Sequence, residues 1–199
     1  MTTHRGGLAP NKYLTPDELQ DVRDFIRIRT QTRKSRRSKT DHLIIEILSG
    51  SGVRASELID LRIEDLPGHH KKPVLYIRDG KGGVSRAVDI STSLCEHIAE
   101  YVAEFRTEVP TDNALFCNPR GKPTSYRALH RKIQGIGEDM GLPARLHCHK
   151  FRHSFAIKLY GLEHDLLFVS SQLGHADVNT TCIYAQTSPE ASRRQMENF

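Results

Sequence analysis

Apolar residues recur along this chain mostly at the three- and four-residue spacing of a helix face. Leu19, Val22, Phe25 and Ile26 form one stripe behind Thr15-Pro16-Asp17-Glu18. That tetrapeptide reads as a helix start, with a capping hydroxyl, proline at the first position and acids in the first turn. Thr40-Asp41 reads as the cap of a second apolar helix through Leu48, ended by Gly50 and Gly52, with Arg54 following at once. Leu94, Ile98, Val102 and Phe105 put an amphipathic helix on Ser91 to Arg106, and another is expected from Ser125 to Met140. His149 to Tyr160 and Asp165 to Leu173 read as two helices broken at Gly161, the second stopping at Gly174.

The period changes in one place. Val74-Leu75-Tyr76-Ile77 and Val84 to Ile90 are β-rich and flank Asp79-Gly80-Lys81-Gly82-Gly83, whose glycines permit positive φ, so a hairpin with Lys81 near its tip is predicted. Asn118 to Pro123 reads as a loop. The expected fold class is therefore mainly α with a small antiparallel β-sheet.

With 199 residues, 37% of them apolar, the chain is long enough to bury one ordinary core. It holds no apolar run near the ~18 residues that cross a bilayer and no early charged-then-apolar segment, so the expected compartment is the cytoplasm, at the nucleoid in a prokaryote, with no membrane partner. Cys95, Cys117, Cys148 and Cys182 lack a CxxC pair or a compact disulfide spacing and read as free thiols. A net charge of +5 leans toward polyanionic partners. Arg33 to Lys39 holds five cations in seven residues, suiting either a solvated loop between helices or a contact to a DNA backbone.

The candidate chemistry lies near the C-terminus. His149 and Arg152 stand three apart, on one helical face, where both can reach one anionic group. Arginine offers a planar fork for phosphate oxygens, and histidine moves protons near neutral pH. Leu173-Gly174-His175 presents a ring at a helix end. Tyr184 follows nine residues later, and nine steps of about 100° in one continuous helix would set the two side chains on opposite faces. A break between them is required, and Ala176-Asp177-Val178-Asn179 supplies turn residues for it, with Thr180 able to begin a last short helix.

Taken together, these elements resemble the tyrosine recombinase (phage integrase) family over roughly residues 14 to 187. The family's Gly-x-Arg-x-x-Glu-Leu segment is matched by Gly52 to Leu58, its Gly-Lys-Gly hairpin by Gly80-Lys81-Gly82, and its His-x-x-Arg-His element by His149 to His153. The Leu-Gly-His element and its tyrosine are matched by Leu173-Gly174-His175 and Tyr184. Two positions depart from the pattern: Cys148 stands where proline is usual before the first histidine, and Phe151 where leucine is usual before the arginine.

The resemblance implies the family's catalytic-domain fold and a site-specific DNA recombinase that needs neither cofactor, metal nor ATP. Its site residues would be Arg54, Lys81, His149, Arg152, His175 and Tyr184. Arg54 and Arg152 would clamp the phosphate, and Tyr184 would attack it to form a 3′-phosphotyrosyl link. His149 would accept the tyrosine proton, Lys81 would protonate the departing 5′ oxygen, and His175 would hydrogen-bond a non-bridging oxygen.

Beside these, Glu57 reads as a structural partner of Arg54, His153 as a packed histidine, and His69-His70-Lys71-Lys72 as an exposed loop. His147-Cys148-His149 lacks the further ligands of a metal site.

Residues 1–13 read as an N-terminal extension, 14–187 as the catalytic domain, and 188–199 as a tail helix that docks on its own domain or on a neighbouring protomer. About a dozen residues precede the first expected helix, so the reading is either a catalytic domain cut from a chain with the preceding helical domain of most of the family, or one of the short members such as the fimbrial switch invertases. Double-stranded DNA, further copies of the chain on DNA and accessory proteins are the expected partners. A type IB topoisomerase and a non-catalytic DNA-binding regulator are the alternative readings.

Overall fold

The computed structural model describes residues 7–67, 73–80, 84–106, 113–118, 120–142 and 146–187. Among these, the architecture is mainly helical with one antiparallel strand pair. The elements are α1 (Pro16–Arg33), α2 (Arg36–Ser51), α3 (Ala55–Asp60), β1 (Val74–Gly80), β2 (Val84–Asp89), α4 (Thr92–Phe105), α5 (Tyr126–Asp139), α6 (Cys148–Glu163), α7 (Leu166–Leu173) and α8 (Cys182–Thr187). No described helix is long and apolar enough to cross a membrane.

The start of α1 is set as its residues demand. Thr15 accepts from the Glu18 N–H while the Glu18 carboxylate accepts from the Thr15 N–H, a reciprocal cap worth about 1 kcal/mol. The second helix begins earlier than expected. Ser35 caps it, so Arg36 to Lys39 are helical, and Thr40 and Asp41 lie buried inside α2 instead of capping it. Tertiary partners explain the shift: Thr40 bonds the Tyr101 hydroxyl at 3.0 Å, and Asp41 holds Arg29 at 3.1 Å and Lys132 at 2.6 Å.

Leu43, Ile44, Ile45, Ile47 and Leu48 make α2 the centre of the main core, packed by α1, α4 and α6. The strands pair Leu75 with Val88 and Ile77 with Arg86, and the register shifts between Ile77 and Gly80. The turn expected around Lys81 lies outside the described residues.

A second, smaller cluster is built from Ala156, Val169, Leu173 and Tyr184, with Leu8 and Phe155 packed against it. It joins α6, α7 and α8. Here too one boundary differs from expectation: α6 runs through Gly161 to Glu163, and the chain turns at His164, whose φ of 53° is left-handed. Asp165 then caps α7 through its carboxylate. At the other end of α7 Gly174 takes φ +64°, and a 3-10 turn over Val178–Thr181 leads into α8. This is the break that His175 and Tyr184 need in order to meet.

Candidate active site

Two helix ends create the site. The last carbonyls of a helix carry partial negative charge and lack partners within it, so they attract cationic donors. Arg152, on α6, donates from Nη1 to the Gly52 carbonyl at the end of α2 (2.8 Å) and from Nη2 to the Leu173 carbonyl at the end of α7 (2.7 Å). Arg54 donates from Nη2 to the Gly174 carbonyl at 3.2 Å. Both guanidiniums are thereby fixed by backbone, and both glycines have positive φ.

Burial, followed by the charge of Arg54, lowers Arg152 to about 10. It remains a cation at neutral pH. Two cations held close in a partly desolvated place form a ready anion site, since an arriving phosphate relieves their repulsion.

Glu57 organises this pair. Its carboxylate accepts from the Arg54 N–H at 2.7 Å and from Arg54 Nη1 at 2.8 Å. It also accepts from both terminal nitrogens of Arg86, at 2.8 and 2.9 Å. Burial disfavours the charged carboxyl, but the bonds and charges of Arg86 and Arg54 outweigh it and hold Glu57 at about 2. Arg86 in turn donates from Nε to the Gln172 carbonyl at 3.0 Å, and Gln172 ties down Asp89 through its side chain. The hairpin is thus fastened to α7.

Tyr184 is almost wholly buried, at 2% exposure. Its ring lies between two imidazoles, stacked on His175 with centroids 6.3 Å apart and tilted against His153 at 5.8 Å. Its hydroxyl is 3.1 Å from Nδ1 of His153. Burial raises the tyrosine pKa, while the charges of Arg152 and Arg54 act in the opposite sense. His175 is oriented by Thr181, whose hydroxyl is 2.9 Å from its Nδ1. Burial, with the charges of Arg152 and Arg54, brings His175 to about 4.

The structure therefore gathers Arg54, Arg152, His175 and Tyr184. His149 is exposed one turn before His153, ring centroids 6.3 Å apart, and the tyrosine hydroxyl bonds His153. Lys81 lies outside the described residues, as do His69 to Lys72 and the tail.

Sequence reasoning missed Arg86, Gln172 and Thr181. Arg86 carried a signal: it shares its strand face with Val88, opposite buried Ile77, where an alternating pattern calls for an apolar residue. Gln172 and Thr181 carried none.

Residues 12–191 match the family model described as the phage integrase family. Tyrosine recombinase XerC of Actinobacillus pleuropneumoniae serotype 7 (strain AP76) is 38% identical over 146 residues, covering 72% of this chain and 46% of that protein. Tyrosine recombinase XerD of Staphylococcus aureus (strain Mu50 / ATCC 700699) is 31% identical over 163 residues, covering 80% and 54%. The chain spans about half the length of these curated relatives. Among solved structures, XerA recombinase superposes with a TM-score of 0.78 at 25% identity, covering 94% of this chain and 64% of that one. XerH site-specific recombinase, bound to difH substrate in a pre-cleavage complex, gives 0.76 at 28% identity, covering 94% and 53%. The fold is that of tyrosine recombinase catalytic domains.

Proposed function

We propose that this chain, which belongs to the phage integrase family, is a site-specific recombinase domain that cuts and rejoins double-stranded DNA through a tyrosyl phosphodiester. The observation that carries this reading is the meeting of Arg54, Arg152, His175 and Tyr184 at the ends of α2 and α7.

Attack on a phosphodiester places additional negative charge on the equatorial oxygens of phosphorus, so cations fixed in advance stabilise the transition state more than the ground state. Arg54 and Arg152 supply that clamp, oriented by Glu57 and Arg86. His175, its Nδ1 engaged by Thr181, turns its other ring nitrogen to a non-bridging oxygen. Exposed His149 approaches the same phosphate beside Arg152. Tyr184 is the nucleophile and Lys81 the acid that protonates the 5′ oxygen as it leaves. The tyrosyl ester retains the phosphodiester energy, so a second 5′-hydroxyl can reseal the strand without ATP.

The buried position of Tyr184 means that α8 shifts outward before attack. The tail at 188–199 supports such control in this reading by docking on a neighbouring protomer. Thr187, the last described residue, borders a groove of about 460 Å³ with Tyr13, Leu19, Ile157 and Leu162 that offers apolar lining for such a segment. Deleting residues 188–199 is then expected to leave the domain folded while impairing complete recombination of paired sites.

The test of the central reading is covalent trapping on nicked duplexes randomised over the core, from which the wild-type chain selects its substrate by adduct formation. Tyr184→Phe should abolish the adduct and keep DNA binding, because it removes one hydroxyl and no charge. Adduct formation by the Phe variant at the wild-type rate would remove the assignment.

A further inference from the structure

We propose that residues 7–14 form a strap that holds α8 against α6, so that Tyr184 reaches a phosphate only after Leu8 releases Thr187. The inference rests on the reading of Tyr184 as nucleophile and adds a restraint on its movement.

The helix that carries Tyr184 is described over six residues, Cys182–Thr187. A helix of that length has little stability of its own, so its place is set by what packs around it. Beside α6, the first described residues of the chain do this. Leu8 packs on the cluster of Ala156, Val169, Leu173 and Tyr184 itself. Its N–H donates to the Thr187 hydroxyl at 2.9 Å, and that hydroxyl donates to the Ile183 carbonyl at 2.6 Å within α8. Gly7 lies so near that a Cβ there would stand 3.1 Å from the Gln186 carbonyl oxygen and 3.2 Å from Thr187 Oγ1.

The two ends of the strap differ. Leu14 is an anchor: it is buried, its N–H donates to the Ser154 hydroxyl on α6 at 2.8 Å, and the capped start of α1 follows at once. Between the ends, a 3-10 turn over Pro10–Lys12 lies on α6 without burying a residue. At Leu8 the hold is the Thr187 bond and a partly buried side chain. A segment fixed at one end and lightly held at the other can let go without unfolding the domain. An α8 that swings out to expose Tyr184 parts from Leu8, because the strap stays tied to α6 at Leu14.

The experiment measures adduct formation on the selected nicked duplex under single-turnover conditions. While the buried state predominates, weakening the grip multiplies the open fraction, and the rate with it, by the same factor. Thr187→Val removes the acceptor and keeps the shape, so it should speed adduct formation about threefold to tenfold, the scale of one hydrogen bond. Leu8→Ala should speed it about tenfold through lost apolar burial. Ile98→Val, which loosens the main core away from the strap, should leave the rate within about twofold. The pair Gly7→Cys with Thr187→Cys tests the opposite direction, since the short approach of these two positions suits a disulfide. Once oxidised, and with the linked peptides mapped, it should form adduct at least about tenfold more slowly than wild type and recover with dithiothreitol.

Hydrogen exchange of the DNA-free protein is the readout independent of activity. Amides of α8 should exchange about threefold or more faster in Thr187→Val and Leu8→Ala, with those of α2 unchanged. Unchanged α8 exchange, adduct formation by both variants no faster than wild type, or a linked pair as fast as wild type each overturns the strap. If the wild type forms no adduct on any duplex while α8 exchange still rises in these variants, the strap stands and the nucleophile reading falls.

Discussion

Arg86 reaches from β2 to grip both oxygens of Glu57, at 2.8 and 2.9 Å, and Glu57 passes that constraint to Arg54 at 2.8 Å. The chain of contacts makes a strand residue responsible for the aim of a clamp residue on another element. Arg86→Ala should therefore act twice. It leaves a carboxylate of 4% side-chain exposure with fewer cationic partners, so the domain should lose about 3 kcal/mol, the lower end for breaking a buried pair while Arg54 remains. It should also slow adduct formation more than it weakens DNA binding. Urea unfolding and single-turnover cleavage check the two effects separately, and an unchanged cleavage rate would show that Arg54 needs no support from β2.

Three half-buried histidines set a direction for stability against pH. His42, His153 and His175 are each brought to about 4 from an ordinary 6.5, in every case first by burial and then by neighbouring cationic groups, His97 for His42, His149 for His153 and Arg152 for His175. The unfolded chain thus binds more protons than the folded one between about pH 6.5 and 4. Their contribution is complete above that window and is lost as pH falls through it. Glu57, depressed from 4.5 to about 2, continues the loss below it. Thermal melts should show Tm falling from neutral pH toward pH 4, and His42→Gln, remote from the candidate site, should make the fall shallower. A flat Tm across the window would contradict these environments.

Gly52 offers a sharper structural test. Its φ is +61°, and an added Cβ would clash with the Phe155 ring, while its carbonyl is the acceptor for Arg152. Gly52→Ala should cost about 1–2 kcal/mol for the left-handed backbone alone, with more from displacing Phe155. Arg152 then loses its anchor, so adduct formation should fall. Gly135→Ala provides the contrast, since nothing lies within 4 Å of its Cβ and the site is helical. That variant should be neutral or up to about 1 kcal/mol more stable.

Much of this arrangement was legible in the residues themselves. Thr15 and Glu18 announced the start of α1, and the hairpin was visible in Val74 to Ile77 and Val84 to Ile90. The need for a break between His175 and Tyr184 followed from helix geometry, and Gly174 with the 3-10 turn provides it. Boundaries failed where tertiary contacts outweighed local signals. Thr40 and Asp41 are good capping residues, yet both find better partners in Tyr101, Arg29 and Lys132 inside a longer helix. Gly161 looked like a helix end, but the left-handed turn fell to His164, where Asp165 could cap the next helix. Within the site, motifs located Arg54, Arg152, His175 and Tyr184. They could not show that the tyrosine hydroxyl would face His153, because that pairing depends on how α8 packs on α6.

The assignment of Lys81 rests on its place between the two strands and on resemblance, so it calls for a chemical test. An acid helps a poor leaving group most: the 5′ alkoxide must gain a proton as it departs, whereas a 5′ thiolate leaves unaided. A substrate with sulfur at the bridging 5′ position should therefore restore most of the cleavage lost in Lys81→Ala. The same substrate should not rescue Arg54→Ala or Arg152→Ala, whose lost charge acts on the non-bridging oxygens whatever atom leaves. The pattern of rescue across these variants thus separates leaving-group protonation from charge stabilisation. If Lys81→Ala remained as slow on the sulfur substrate as on the ordinary one, the acid would have to be sought elsewhere, and Lys81 would be left with a role in binding the phosphate.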